Sequence, residues 1–270
     1  MYAKLTAYEI RSRYRADARS FGAFIVTIAA ASGIVAAGLP GISGSTAVLA
    51  YALCALTPVA CAIAAMADYW KTLYGQRGYF TMSLPVSGTT IFWAKTTRMV
   101  IECLLALALA VGGIIAVASA AAWSDGISLA EYTAGPRSLV AGVPTSTVAI
   151  MIVVQVLVSL SWLVQGSAVM SIGAEGRFNH MGFGAPIIGF VLLYIVNQVL
   201  STVGTFFLPL SVTTDGHFST EIMWTSYLAT MGTEGQPNVI GIGSYVLVPL
   251  FALVMAIWAS RSIEKHTSLR

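Results

Sequence analysis

The chain has 270 residues, 57% of them hydrophobic and 9% charged, with 14 Lys+Arg against 11 Asp+Glu and a net charge of +3. Its mean hydropathy is +0.81. A soluble domain of this length carries about 67 charged residues, so disorder, a nucleic-acid-binding domain and a disulfide scaffold are excluded, and the composition reads as a polytopic, all-α membrane protein.

Residues 1–20 carry a partial apolar stripe, Leu5, Tyr8, Ile10 and Tyr14, with Arg11, Arg15 and Arg19 at i, i+4 spacing on another side. Glu9 and Arg13 form a favourable i, i+4 pair. Two readings fit. One is an amphipathic helix on an anionic inner leaflet, where each basic residue adds about 1 kcal/mol of attraction; the other is a solvated basic tail. The apolar run that follows, Phe21–Leu39, is longer than the roughly 7–15 residues of a signal-peptide core, so it reads as a span.

A spanning helix needs about 20 mostly apolar residues. Besides Phe21–Leu39, the stretches Thr46–Ala67, Met99–Trp123, Thr147–Ile172, Phe183–Pro209 and Ile242–Ala259 meet that standard, making six spans in a single transmembrane domain. Pro40–Ser45 is so short that spans one and two must be antiparallel neighbours. Lys4, Arg11, Arg13, Arg15 and Arg19 precede span one; Lys71, Arg77, Lys95 and Arg98 lie between or beside spans two and three. Arg177 lies between spans four and five, and Arg261, Lys265 and Arg270 follow span six. Only Arg137 falls on the other side, so both termini are expected in the cytoplasm.

The segment Asp68–Arg98 connects spans two and three on the cytoplasmic side. Gly75 and Gly78 interrupt any continuation of the second span, Pro85 is a further breaker, and Ser87 is placed to N-cap a new helix. No proline occurs from Gly88 to Trp123, which predicts one helix of about 36 residues, roughly 54 Å. The hydrocarbon core takes about 30 Å of that. The first turns must therefore protrude, with Trp93, Lys95 and Arg98 marking the interface. Between the two helices sits an aromatic, basic elbow, Tyr74–Leu84, which is either an ordinary interfacial loop or a docking stub.

These residues resemble a known family. Arg77-Gly78-Tyr79-Phe80, then Leu84-Pro85-Val86-Ser87, then Lys95 on the following helix, are similar to the inner loop of permease subunits of bacterial ATP-binding-cassette exporters. The class is the short six-span one that shares its fold with the eukaryotic G-subfamily transporters. The likeness covers the whole topology, although its motif spans only about 20 residues. The resemblance implies that the elbow is a coupling helix docking on a separate ATPase subunit, with Tyr74, Arg77, Gly78, Tyr79, Phe80, Leu84 and Pro85 as the contact. It also implies a dimer of two six-span subunits, the same or homologous. Spans two and five would line the path, and the loop Leu210–Gly241 would cap it outside. ATP and Mg would bind the partner ATPase; this chain would hold no cofactor.

The chemistry of the sequence points the same way. Lys71-Thr72 and Lys95-Thr96 lack the glycines of a phosphate loop, and no HExxH zinc motif occurs. Gly41-Ile42-Ser43-Gly44 matches the GxSG of intramembrane serine proteases, but His180, His217 and His266 all fall outside the spans, so no base is at hand. Cys54, Cys61 and Cys103 form no CxxC pair and read as buried thiols. The expectation is a chain that is not itself an enzyme. Glu102, one turn after Arg98, is the one ionisable group within a span and reads as an ion pair with it.

Asn197 and Gln198 lie near the middle of span five, ahead of Ser201, Thr202 and Thr205; Gln155 and Gln165 sit in span four. Asn197 is either interhelical glue or, with Gln198 and Thr202, part of the substrate path that the resemblance places on span five. Phe206 and Phe207 before Pro209 form either an outer constriction of that path or ordinary core filling. In the outer loop, Phe218, Ile222, Met223, Tyr227, Leu228 and Met231 recur at near-helical spacing and predict a short amphipathic helix.

The expectation is a permease subunit of an ATP-driven exporter in a bacterial inner membrane, with the bilayer, a second permease and an ATPase as partners and no nucleic acid. A lining of Ala, Gly, Leu and Phe with a few amides suits amphipathic drugs or antimicrobial peptides. The competing classes are a non-transporting membrane scaffold or sensor subunit, and a secondary transporter or intramembrane enzyme.

Overall fold

The structure is a computed structural model that describes residues 1–75, 78–83, 85–231 and 235–265, the side chain of Asn179 excepted. It is overwhelmingly helical: α1 (Tyr2–Ala36), α2 (Ser43–Leu73), α3 (Gly78–Met82), α4 (Gly88–Ser124), α5 (Leu129–Tyr132), α6 (Ala134–Ser138), α7 (Thr145–Gly173), α8 (Gly184–Phe207), α9 (Met223–Thr230) and α10 (Ser244–Lys265). A 3-10 turn, Gly176–Met181, joins α7 to α8. Helices α1, α2, α4, α7, α8 and α10 are each long and apolar enough to cross a membrane. No more than 44% of the most apolar window of any of them is buried within the chain. Side chains such as Leu49 and Ile63 point outward at 71% and 65% exposure. An apolar surface on that scale needs lipid or another chain to cover it. The protein is a multi-pass, all-α membrane protein.

Close contacts group the chain into two compact units, Met1–Gly75 with Trp93–Leu139, and Gln76–Phe92 with Val140–Arg270. In the first unit α1 packs along α2, as the short turn between them requires. Ile28 of α1, Ala50 and Cys54 of α2, and Ala110 and Val117 of α4 form one buried apolar cluster. The residues read as a separate 1–20 helix are continuous with the first span in the 35-residue α1. Composition changes near Ser20, but no proline or glycine pair interrupts the chain there, and one isolated glycine, Gly22, is insufficient to break a helix. Its N-terminal turns are also not all lipid- or water-facing, since Thr6 and Glu9 are buried.

In the second unit α10 packs on α7 and α8, and α7 on α8. The facing surfaces are rich in small residues: Gly166, Ser167, Ala168 and Ser171 on α7, with Ala252, Ala256, Ala259 and Ser260 on α10, are all buried. Small side chains bring helix backbones close where apolar burial alone gives no drive, as in lipid. Ser262 donates its hydroxyl hydrogen to the carbonyl of Ser171 at 3.2 Å, fixing the level of α10 against α7. At the other end of the unit, a Cβ on Gly204 of α8 would stand 2.5 Å from the backbone nitrogen of Ser244, so only glycine allows α8 and the start of α10 to meet.

The long loop after α8 holds more than the expected helix. Strands β1 (Ser211–Thr213), β2 (Phe218–Ser219) and β3 (Val239–Gly241) form an antiparallel sheet in the order β2-β1-β3, with Ser211 opposite both Ser219 and Gly241. Gly216 turns the β1–β2 hairpin at φ +80°, a conformation that favours glycine. The near-helical spacing read from Phe218 to Met231 is realised only in α9; Phe218 lies in β2, where the hairpin turn sets its direction.

Candidate functional site

The segment between α2 and α4 is built by its stop and start signals. Helix α2 ends at Leu73, and Tyr74 closes it with its N–H on the carbonyl of Trp70 at 2.8 Å. The Tyr74 ring lies 5.2 Å from that of Trp70 and 6.4 Å from that of Tyr69. Gly78 opens the one-turn α3 and is buried, whereas Tyr79 and Phe80 are 55% and 67% exposed. Pro85 is exposed; the expected contacts Arg77 and Leu84 lie outside the described residues. Helix α4 then starts at Gly88, and the backbone N–H of Thr90 donates to the Ser87 hydroxyl at 3.3 Å, the cap read from the sequence. Two adjacent aromatic side chains on a short helix are thus left facing outward.

A charged network joins the three long helices of the first unit. Lys95 of α4 meets Glu9 of α1 at 2.9 Å and the Thr72 hydroxyl of α2 at 3.0 Å. Arg98 of α4 reaches Asp68 of α2 at 2.9 Å and Glu102 at 3.0 Å, and Arg13 of α1 reaches Asp68 at 2.5 Å and Asp17 at 3.7 Å. Arg98 and Lys95 are 2% and 3% exposed. The Arg98–Glu102 pair is present as expected. The Glu9–Arg13 pair is not: a buried partner on another helix outcompetes a half-buried neighbour on the same one.

Helix lengths explain how the membrane tolerates these charges. At 1.5 Å per residue, Glu102 stands about 33 Å from the far end of α4, Asp68 about 37 Å from the start of α2, and Arg13 about 34 Å from the end of α1. Each distance exceeds the roughly 30 Å hydrocarbon core. The network therefore falls where these helices leave it. The sequence reading missed the buried Glu9 and the half-buried Asp68 as interhelical partners; the visible signal was that all three helices overshoot the core at the same end.

The residues of α8 expected on the path divide between two faces. Leu193, Asn197 and Gly204 are buried, while Gln198 and Thr202 are exposed, with the Thr202 hydroxyl donating to the Gln198 carbonyl at 2.8 Å. The Asn197 amide donates to Gln165 Oε1 of α7 at 2.6 Å and to the Leu193 carbonyl at 3.0 Å. Gln165 in turn donates to the Val248 carbonyl of α10 at 3.1 Å. Of the two roles open to Asn197, this geometry is that of a polar link across three helices. Phe206 and Phe207 pack on α9: Phe206 lies 6.1 Å from Trp224 and 6.3 Å from Tyr227, and Phe207 lies 5.5 Å from Trp224.

Ser43 starts α2 and donates its hydroxyl hydrogen to the Ile34 carbonyl at 3.1 Å, the bond of a turn serine. Cys54, Cys61 and Cys103 are free. Among the described residues, no three His, Cys, Asp or Glu side chains converge as a metal-ligand set. Comparison of the chain with protein-family models, curated proteins and solved structures gives no match.

Proposed function

We propose that the chain is the permease subunit of an ATP-driven exporter, working as a dimer with a separate ATPase subunit. The observation that carries the reading is α3. A five-residue helix between two long apolar helices presents Tyr79 and Phe80 outward instead of burying them. Lys and Arg distribution puts this segment, with both termini, in the cytoplasm, where an ATPase could receive it. Exposed aromatic pairs are common anchors of protein interfaces. In this reading ATP closes the ATPase pair, the hairpin around Arg77–Pro85 transmits the movement, and the six-span halves alternate access across a bacterial inner membrane. Gln198 and Thr202, on the exposed face of α8, are the path residues most available to amphipathic cargo such as drugs or antimicrobial peptides.

The test is Tyr79→Glu, alone and with Phe80→Glu. Either should abolish co-purification with the ATPase and ATP-coupled export while leaving the thermal stability of the permease unchanged, because both side chains are already solvent-exposed. Unimpaired assembly and export would remove the coupling assignment.

One observation favours a secondary transporter. The network of buried Glu9, Lys95, Arg98 and Glu102 with the half-buried Asp68 contains ionisable groups of the kind that mark ion relays. They are engaged with one another, however, and lie where the helices leave the hydrocarbon core. That arrangement suits a structural clamp on α1, α2 and α4 better than a route across the membrane.

A further inference from the structure

The second unit contains a cavity of about 480 Å³ bounded by α7, α8, α10 and the 3-10 turn, within the usual ~300–1,000 Å³ of ligand sites. Its wall is apolar throughout, with Leu192 and Val196 of α8 and Phe251, Val254 and Trp258 of α10, except for one residue. That residue is Arg177, in the turn joining α7 to α8. Its Nε meets Glu175 Oε2 at 2.7 Å, and its guanidinium lies over the Phe178 ring, 4.6 Å from the centroid. The side chain is nonetheless 59% exposed, and the Glu175 carboxylate is only 6% exposed. Glu175 therefore holds the guanidinium through Nε while most of the side chain stays exposed, a disposition that leaves it available to a phosphate oxygen pair.

From Ala185, beside the turn, to Val196, the cavity follows α8 for about 16 Å. That is half of the roughly 30 Å hydrocarbon core, the reach of one leaflet. Trp258 lies near the same end as Arg177, since Ser262 is bonded to Ser171 just before the turn. Interfacial tryptophan and arginine mark that end as headgroup level. An apolar slot one leaflet deep, with Arg177 at headgroup level as the one charged residue of its lining, is complementary to an anionic phospholipid.

We propose that this cavity holds one acyl chain of an anionic phospholipid whose phosphate is bound by Arg177. The site is independent of any ATPase, and so is its test. The full chain, purified in detergent, is titrated with phosphatidylglycerol or with phosphatidylcholine of the same acyl chains, and bound lipids are counted by native mass spectrometry. The first phosphatidylglycerol should bind about fivefold more tightly than the first phosphatidylcholine, the scale of one arginine at an anionic surface. Arg177→Gln should remove that preference. Leu192→Trp should displace the first lipid of either kind by filling the slot, and Leu192 is 57% exposed, so the variant should fold. Equal binding of the two lipids, an unchanged preference in Arg177→Gln, or normal lipid binding in Leu192→Trp would each overturn the proposal. A lipid-free dimer that Leu192→Trp dissociates would do so too, by assigning the slot to a second copy of the chain.

Discussion

Replacing Arg98 with Met tests the charged network most severely. Arg98 and Glu102 are 2% and 9% exposed as side chains, and Arg98 also holds Asp68. The substitution leaves Asp68 with Arg13 and strips Glu102 of its ion-pair partner. Breaking a buried pair in this way costs about 3–5 kcal/mol, because the remaining charge stays desolvated. For a chain of this size each kcal/mol lowers Tm by about 2–4 °C, so Arg98→Met should melt on the order of 6–20 °C below the parent. The double variant Arg98→Met, Glu102→Leu removes the stranded carboxylate as well and restores the charge balance among α1, α2 and α4. It should regain most of the loss, since replacing a whole buried pair with apolar groups is often neutral. Thermal unfolding in detergent, followed by tryptophan fluorescence, reads both. A single variant as stable as the parent, or a double no better than the single, would refute the claim that these charges clamp the three helices.

Asn197→Leu should cost about 1–2 kcal/mol by stranding Gln165 Oε1 between α7 and α8, and Gln165→Leu in the same chain should recover part of it; thermal unfolding again decides. If Asn197 instead touches cargo, Asn197→Leu will change cargo-stimulated ATP hydrolysis at unchanged stability. Gly204→Val should sharply reduce folded protein in size-exclusion chromatography, because even a Cβ would stand 2.5 Å from the Ser244 nitrogen. A normal yield would mean that the ends of α8 and α10 do not meet in this way.

The six long helices were legible because length and breakers are local properties; the short α5 and α6 were not read. The absence of proline from Gly88 to Trp123 and the presence of Gly75 and Pro85 set the end of α2 and both ends of α4 to within about two residues. The small sheet was not legible: β1, β2 and β3 are two or three residues each, too short to show a period, and owe their pairing to the hairpin turn at Gly216. The same distinction runs through the candidate site. That Arg98 would pair with Glu102 is a matter of i, i+4 spacing, which the chain displays directly. That Glu9 would leave Arg13 for Lys95, or that Asp68 would serve two arginines, depends on which helix faces become neighbours. Asn197 shows the limit most clearly, since spacing placed it beside Gln198 while the helix turned the two side chains about 100° apart. One is buried against Gln165 and the other is exposed.

The central claim, that this chain is the membrane half of an ATP-driven exporter, is tested most directly by mild-detergent purification of the tagged chain with mass spectrometry of what accompanies it. The account predicts a stoichiometric ATPase subunit carrying a phosphate loop, together with a second six-span chain of the same or a homologous kind. Recovery of the chain alone, folded and stable, would contradict it and move the scaffold and secondary-transporter readings ahead.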